Sequence, residues 1–199
     1  MSVRTAVLVS GGGTNLQALI DAKKDGKMPN AEIAAVISNV ENAYALKRAE
    51  IAGIQAFTCV SKGRPHAAFE EELLSILEKN RIDLIVLAGF LAILSEDFTR
   101  RYPKRILNIH PSLIPSFCGQ GFYGLRVHEA ALQRGVKVTG ATVHFVNEIP
   151  DGGEIILQKA VEVKPGDTPQ ILQRRVMEEA EWKLLPQAVQ AVAQAMEEN

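Results

Sequence analysis

A chain of 199 residues with 47% hydrophobic and 23% charged residues has the profile of a folded globular protein, neither disordered nor fibrous, and one domain over residues 1–199 is expected. The formal net charge of −1, with Lys and Arg dispersed along the chain, gives no electrostatic footprint for nucleic acid. No apolar run approaches the roughly 18 residues of a membrane span, the N-terminus carries no export pattern, and Cys59 and Cys118 have neither metal-ligand nor disulfide spacing, so a cytoplasmic protein with no metal and no membrane partner is expected.

The pattern begins with a buried strand over Thr5–Ser10, an amphipathic helix over Asn15–Lys24 and a second strand over Glu32–Ser38. A helix over Ala43–Ala52, a short strand over Gln55–Cys59 and a helix over Pro65–Lys79, with Pro in its first turn, follow. Strands over Asp83–Leu87 and Arg105–Ile109 flank a short helix near Ser95–Tyr102. This alternation predicts an α/β fold, Rossmann-like, with an open, mostly parallel sheet flanked by helices. Two long β-rich runs, Val136–Val146 and Glu154–Val163, then break the rhythm and predict an antiparallel extension in the C-terminal half. The last helix should start with Thr168 as N-cap and Pro169 at its first position, and Pro186 should kink it or end its first section.

Four segments carry candidate chemistry. Ser10-Gly-Gly-Gly-Thr-Asn15 lies between the first strand and first helix, where backbone N–H groups and the helix N-terminus can hold a phosphate. It lacks the Lys of a nucleoside-triphosphate loop, and Leu16 stands at the third glycine position of the dinucleotide fingerprint, so a single phosphate on a small substrate fits best. Gly89 to Leu94 is an apolar loop after a strand, suited equally to core packing and to the wall of a pocket for a flat ring. At the end of the next strand Asn108 and His110, two residues apart, share a face, and Pro111 stops the ladder. A neutral amide can hydrogen-bond a developing oxyanion, an imidazole can move a proton, and Asp151 in Pro-Asp-Gly-Gly can join them, although that motif also reads as a plain turn. His144 reads as a buried, hydrogen-bonded side chain and His128, at the start of a helix, as a surface or cap residue.

The ordered set Ser10 to Asn15, Leu87-Ala-Gly-Phe90, Asn108-Ile-His-Pro-Ser-Leu-Ile-Pro115, Val143-His-Phe-Val146 and Asp151-Gly-Gly153 resembles the glycinamide ribonucleotide formyltransferase family over nearly the whole chain. The Asn-Ile-His-Pro-Ser segment and the later Asp are shared by other users of 10-formyltetrahydrofolate, while the glycine loop and the length select this family. The resemblance implies formyl transfer from 10-formyltetrahydrofolate, as cosubstrate, to the amine of glycinamide ribonucleotide in purine synthesis, by a monomer or homodimer. It implies Asn108, His110 and Asp151 as the catalytic set, and Gly13, Thr14, Asn15 and Glu181 as substrate-binding residues. For the folate it implies His66, Leu91, Ala92, Ile93, Leu94 and Asn108, together with the loop from Asn147 to Asp151.

The chain departs from the family pattern at His66, where Arg is frequent and Arg64 lies two residues earlier, at Ala92, where some members are basic, and at Trp182, where His is common. A deformylase and a methionyl-tRNA formyltransferase share the core, each usually with an additional domain. A phosphate-sensing module without catalysis is the reading from a different class, since a glycine loop on an α/β sheet does not itself establish chemistry.

Overall fold

The computed structural model describes residues 2–198. Seven strands form one sheet in the order β3-β2-β1-β4-β5-β6-β7. These are β1 (Val3–Val9), β2 (Ala31–Ser38), β3 (Gln55–Thr58), β4 (Leu84–Leu87), β5 (Ile106–His110), β6 (Val138–Phe145) and β7 (Ile155–Glu162). The first five are parallel, and β6 and β7 run antiparallel. The expected Rossmann-like sheet with its antiparallel extension is therefore what the chain builds.

The helices are α1 (Thr14–Lys24), α2 (Tyr44–Ile51), α3 (His66–Lys79), α4 (Glu96–Arg101), α5 (Leu125–Arg134), α6 (Pro169–Val176) and α7 (Trp182–Glu197). Both faces of the sheet are covered, which is why its central strands read as continuous apolar runs. Along β1 the side chains alternate between two cores: Val3, Val7 and Val9 pack in the cluster that includes Leu16 of α1 and Val189 of α7, whereas Ala6 and Leu8 pack with Phe69 of α3 and Phe98 of α4. The two edges differ from the centre. β3 is largely exposed, and β7 carries Gln158, Lys159 and Glu162, polar residues that discourage pairing with another chain.

Most boundaries fall within a residue or two of the sequence reading, and three details differ. Pro65 is the N-cap of α3 and lies outside its first turn. α5, which the sequence reading marks only as a helix beginning at His128, begins three residues earlier at Leu125 and ends at Arg134, with Gly135 in the left-handed conformation as its stop. Pro186 neither ends nor divides the last helix; it lies inside α7, and the irregularity precedes it as a π-helical turn over Met177–Glu181. Proline cannot donate to the carbonyl four residues back and its ring crowds that carbonyl, so a widened turn just N-terminal to it relieves the conflict without breaking the helix.

The spatial order also explains where a site must form. β1 lies between β2 and β4, so the chain leaves β1 toward one side of the sheet and later fills the other side. Loops after β1 and β4 therefore diverge at their carboxyl ends and leave a crevice. β5 ends beside it.

Candidate active site

β5 is held between β4 and β6, and its register sets Asn108 opposite His144 and His110 opposite Thr142. Asn108 Nδ2 lies 3.2 Å from His144 Nε2 and donates to Asp151 Oδ1 at 3.4 Å. His110 Nδ1 stands 3.5 Å from Asp151 Oδ2, and His144 Nε2 stands 3.6 Å from Asp151 Oδ1. Two strands and a turn thus place one amide, two imidazoles and one carboxylate in a single cluster. His144 Nδ1 donates to its neighbour's carbonyl, Phe145 O, at 2.7 Å, which fixes the ring with Nε2 turned toward Asn108 and Asp151.

Asp151 reaches this cluster because the turn that carries it lies flush against the end of β6. A Cβ on Gly153 would stand 1.7 Å from Phe145 O, and Asp151 itself adopts a left-handed conformation, φ 55°. The loop after β5 supplies the remaining partners: Gly119 N donates to Asp151 Oδ2 at 2.8 Å, and His110 Nε2 donates to Phe117 O at 2.8 Å. An imidazolium at His110 satisfies both neighbours at once, with one N–H toward Phe117 and the other toward Asp151.

Burial nonetheless pulls the His110 pKa below its ordinary value, and the Asp151 charge and the Phe117 carbonyl only partly oppose it, with His144 adding to the fall. Burial acts to raise Asp151, but His144, the His110 charge and the Gly119 N–H together hold it below the usual carboxylate value. An ionised carboxylate beside a proton-exchanging imidazole is the outcome.

At the other side of the crevice, Gly13 is the N-cap of α1 with φ 72° and no side-chain cap. A Cβ there would meet Ala45 Cβ at 2.6 Å, so the loop closes against α2 at Gly13, while added Cβ atoms at Gly11 and Gly12 would meet nothing within 4 Å. Those two positions leave the backbone open to an anion, next to the uncapped helix N-terminus. The loop and the Asn108 cluster share one cavity of about 940 Å³, whose wall runs from Gly11–Asn15 across Gly89–Ile93 to Asn108, His110 and Asp151. Such a volume is in the range of small-molecule sites.

The sequence profile described as formyl transferase matches residues 3–189. The chain belongs to the formyl transferase family. It is 42% identical over 184 residues to the phosphoribosylglycinamide formyltransferase of Haemophilus influenzae, covering 92% of this chain and 84% of that protein. It is 48% identical over 191 residues to the trifunctional purine biosynthetic protein adenosine-3 of Bos taurus, covering 96% of this chain but only 18% of that much longer protein. The crystal structure of glycinamide ribonucleotide transformylase 1 from Symbiobacterium toebii superposes with a TM-score of 0.90 at 42% identity, over 98% of this chain and 89% of that one.

Within this formyl transferase the expected site residues fall into three groups. Asn108, His110 and Asp151 converge as described. Gly13, Thr14, Asn15 and Glu181 line one end of the cavity, where Asn15 Nδ2 donates to Glu181 Oε2 at 2.7 Å. One N–H of the Asn15 side-chain amide is therefore engaged by Glu181. Burial pushes Glu181 up to about 7, against the opposing hydrogen bond from Asn15. Leu91, Ala92 and Ile93 line the other end.

Two of the expected folate contacts lie elsewhere. Leu94 turns away and packs in the core with Phe98, and His66 stands behind the loop with Nε2 2.8 Å from Ile93 O. Arg64 is engaged by Glu72 and by Ala68 O, so it is committed to α3. A side chain's distance along the sequence from a motif says nothing about which side of a loop it approaches.

Two residues at the site escaped the sequence reading. Arg48 of α2 donates from Nε to Gly12 O at 2.8 Å and from Nη1 to Gln17 at 2.9 Å, bringing a guanidinium beside the glycine loop from 36 residues away. His128 is no surface residue: it is fully buried in α5, lines the cavity, and has no protein partner for either ring nitrogen. Burial, helped by the His110 charge, lowers its pKa to about 4. The signal available in the sequence is that Val127, His128 and Ala131 share one stripe of α5, the buried one.

Proposed function

We propose that this member of the formyl transferase family carries a formyl group from 10-formyltetrahydrofolate to the amine of glycinamide ribonucleotide; the names of its relatives state formyl transfer and the glycinamide ribonucleotide for those proteins. The observation that carries the reading is the single cavity joining an anion-ready glycine loop to a buried amide, imidazole and carboxylate. The phosphate of the phosphoribosyl substrate belongs at Gly11 to Asn15, with Arg48 nearby and Glu181 toward the sugar. The folate belongs against Leu91 to Ile93. The amine and the formyl carbon then meet above Asn108 and His110.

Attack of the amine on the formyl carbon places negative charge on the formyl oxygen. Asn108 Nδ2 and a protonated His110 become the donors for that oxygen by exchanging present partners: His110 turns Nε2–H from Phe117 O to the substrate while Nδ1–H stays on Asp151, and Asn108 releases one of His144 and Asp151. Such donors count for most when the charge is greatest. Asp151 holds the imidazole by its Nδ1 edge and opposes the loss of its proton to burial. Collapse of the tetrahedral adduct breaks the bond to the folate nitrogen, which takes a proton while the amine gives one up. His110 and Asp151 supply the groups for that exchange, directly or through solvent. No covalent enzyme intermediate is needed. The finer assignments, together with a cytoplasmic location and a monomeric or homodimeric state, belong to this proposal.

Incubation of the purified protein with 10-formyltetrahydrofolate, with and without glycinamide ribonucleotide, tests it. Tetrahydrofolate release should depend on glycinamide ribonucleotide and match formylated product one for one. Release indifferent to the second substrate would mark a hydrolase, and binding without turnover in any mixture a sensing module.

A further inference from the structure

The two ends of the cavity are built by different loops, one after β1 and one after β4, and a hydrogen-bond chain joins them. Leu91 N donates to Ser10 Oγ at 2.8 Å, Ser10 Oγ donates to Asn39 Oδ1 at 2.5 Å, and Asn39 Nδ2 donates to Ser61 Oγ at 3.0 Å. These residues follow β4, β1, β2 and β3, four strands that are neighbours in the sheet. The chain therefore runs along the carboxyl edge of the sheet, with every donor and acceptor pointing consistently.

Ser10 occupies the joint. Its backbone opens the glycine loop, and its hydroxyl accepts from the loop that supplies Leu91, Ala92 and Ile93 to the opposite wall. That second loop is also fixed beyond the cavity, where His66 meets Ile93 O at 2.8 Å and Ser95 N donates to Glu70 at 2.6 Å. Its inner end packs Phe90 and Ala92 on the core below and is tied sideways to the glycine loop by the bond from Leu91 N to Ser10 Oγ. A hydroxyl is the one small group that can accept from Leu91 and donate to Asn39 at the same time, and each bond polarises the next.

We propose that Ser10 is a positioning residue that fixes the spacing between the two substrate half-sites, and so the approach of the acceptor amine to the formyl carbon. Its hydroxyl lies outside the Asn108 cluster and acts on the reaction through Leu91 and the glycine loop. Approach geometry within a bound pair is worth large factors in rate, and small displacements are costly. The same joint should make each substrate aid the other's binding, reciprocally. This inference rests on the proposed assignment of the two half-sites.

The test compares wild type with Ser10→Ala, Ser10→Thr and Asn39→Ala. It measures kcat, KM for both substrates, thermal midpoint, and the calorimetric affinity for glycinamide ribonucleotide with and without saturating tetrahydrofolate. Ser10→Ala removes the acceptor of the Leu91 N–H and leaves that N–H to solvent, which frees the inner end of the loop and should lower kcat about five- to tenfold, the size of one hydrogen bond's net worth. It should also abolish most of the mutual strengthening between tetrahydrofolate and glycinamide ribonucleotide. Ser10→Thr, which keeps the hydroxyl, should recover most of both.

Asn39→Ala cuts the chain one link further on and should shift kcat and coupling in the same direction by less. It decides the question if Ser10→Ala does not fold. A variant with a lowered thermal midpoint but kcat and coupling within twofold of wild type would reduce Ser10 to a structural residue and overturn the inference. Absence of formyl transfer by the wild type would instead overturn the function, and the calorimetric coupling, which needs no turnover, keeps the two failures apart.

Discussion

In the parallel half, β1, β4 and β5 each end at the carboxyl edge in a loop that lines the cavity, so candidate site residues follow directly after the strands that place them. The antiparallel half works differently. β6 and the turn before β7 bring His144 and Asp151 to Asn108 and His110 from 36 and 43 positions away, through strand register and a flush glycine turn. The parallel half provides the loops proposed to bind substrate and two of the groups proposed for catalysis, Asn108 and His110, and the antiparallel half completes the electrostatics around them. A strand end can therefore be read as a site from local pattern, whereas the partner that charges it depends on how the sheet closes.

The largest expected effect breaks the catalytic side of this comparison. His110→Ala and Asn108→Ala should each lower kcat by on the order of a hundredfold with much smaller changes in KM, because their strongest hydrogen bonds form as the oxyanion develops. Steady-state kinetics of each variant is the check, and near wild-type turnover in both would remove the cluster from the mechanism.

The glycine loop sharpens the comparison through two neighbouring positions with different duties. Gly13→Val puts a β-branched side chain at φ 72° and against Ala45, so it should cost roughly 2–4 kcal/mol of stability before any ligand is considered. Gly12→Val meets no neighbour within 4 Å and should leave the thermal midpoint nearly unchanged while weakening glycinamide ribonucleotide far more than tetrahydrofolate. A stable Gly13→Val protein that had lost only phosphate binding would reverse the assignment. Gly13 closes the loop on α2, and Gly12 tests the proposed phosphate site at Gly11 to Asn15 apart from that packing.

The smallest effect concerns Glu181, whose carboxyl is raised from 4.5 to about 7 by burial. Between these values the folded protein holds a proton that the unfolded chain has released, so stability is greatest below the lower value and falls as pH rises through the upper one. The free protein should lose on the order of 2–3 kcal/mol across that window from this group. Glu181→Gln, which retains an acceptor for Asn15, should flatten that part of the profile of thermal midpoint against pH. An unchanged slope would show that Glu181 is ionised throughout.

The sequence by itself determined the order and type of most elements, because the central strands are largely apolar on both faces and several connections carry a glycine or cap, as with Thr168, which accepts from Ile171 N at 3.3 Å. It also marked Asn108 and His110, since a period of two fixes a shared face regardless of what packs around it. Only the tertiary structure decided which residues those two would meet. It placed Arg48 under the glycine loop, turned Leu94 into the core, buried His128 beside the cavity and tied Asn15 to Glu181. Those outcomes depend on the packing of elements distant in sequence and on strand register, and neither local propensity nor spacing along the chain encodes the distance between side chains that only the folded sheet brings together.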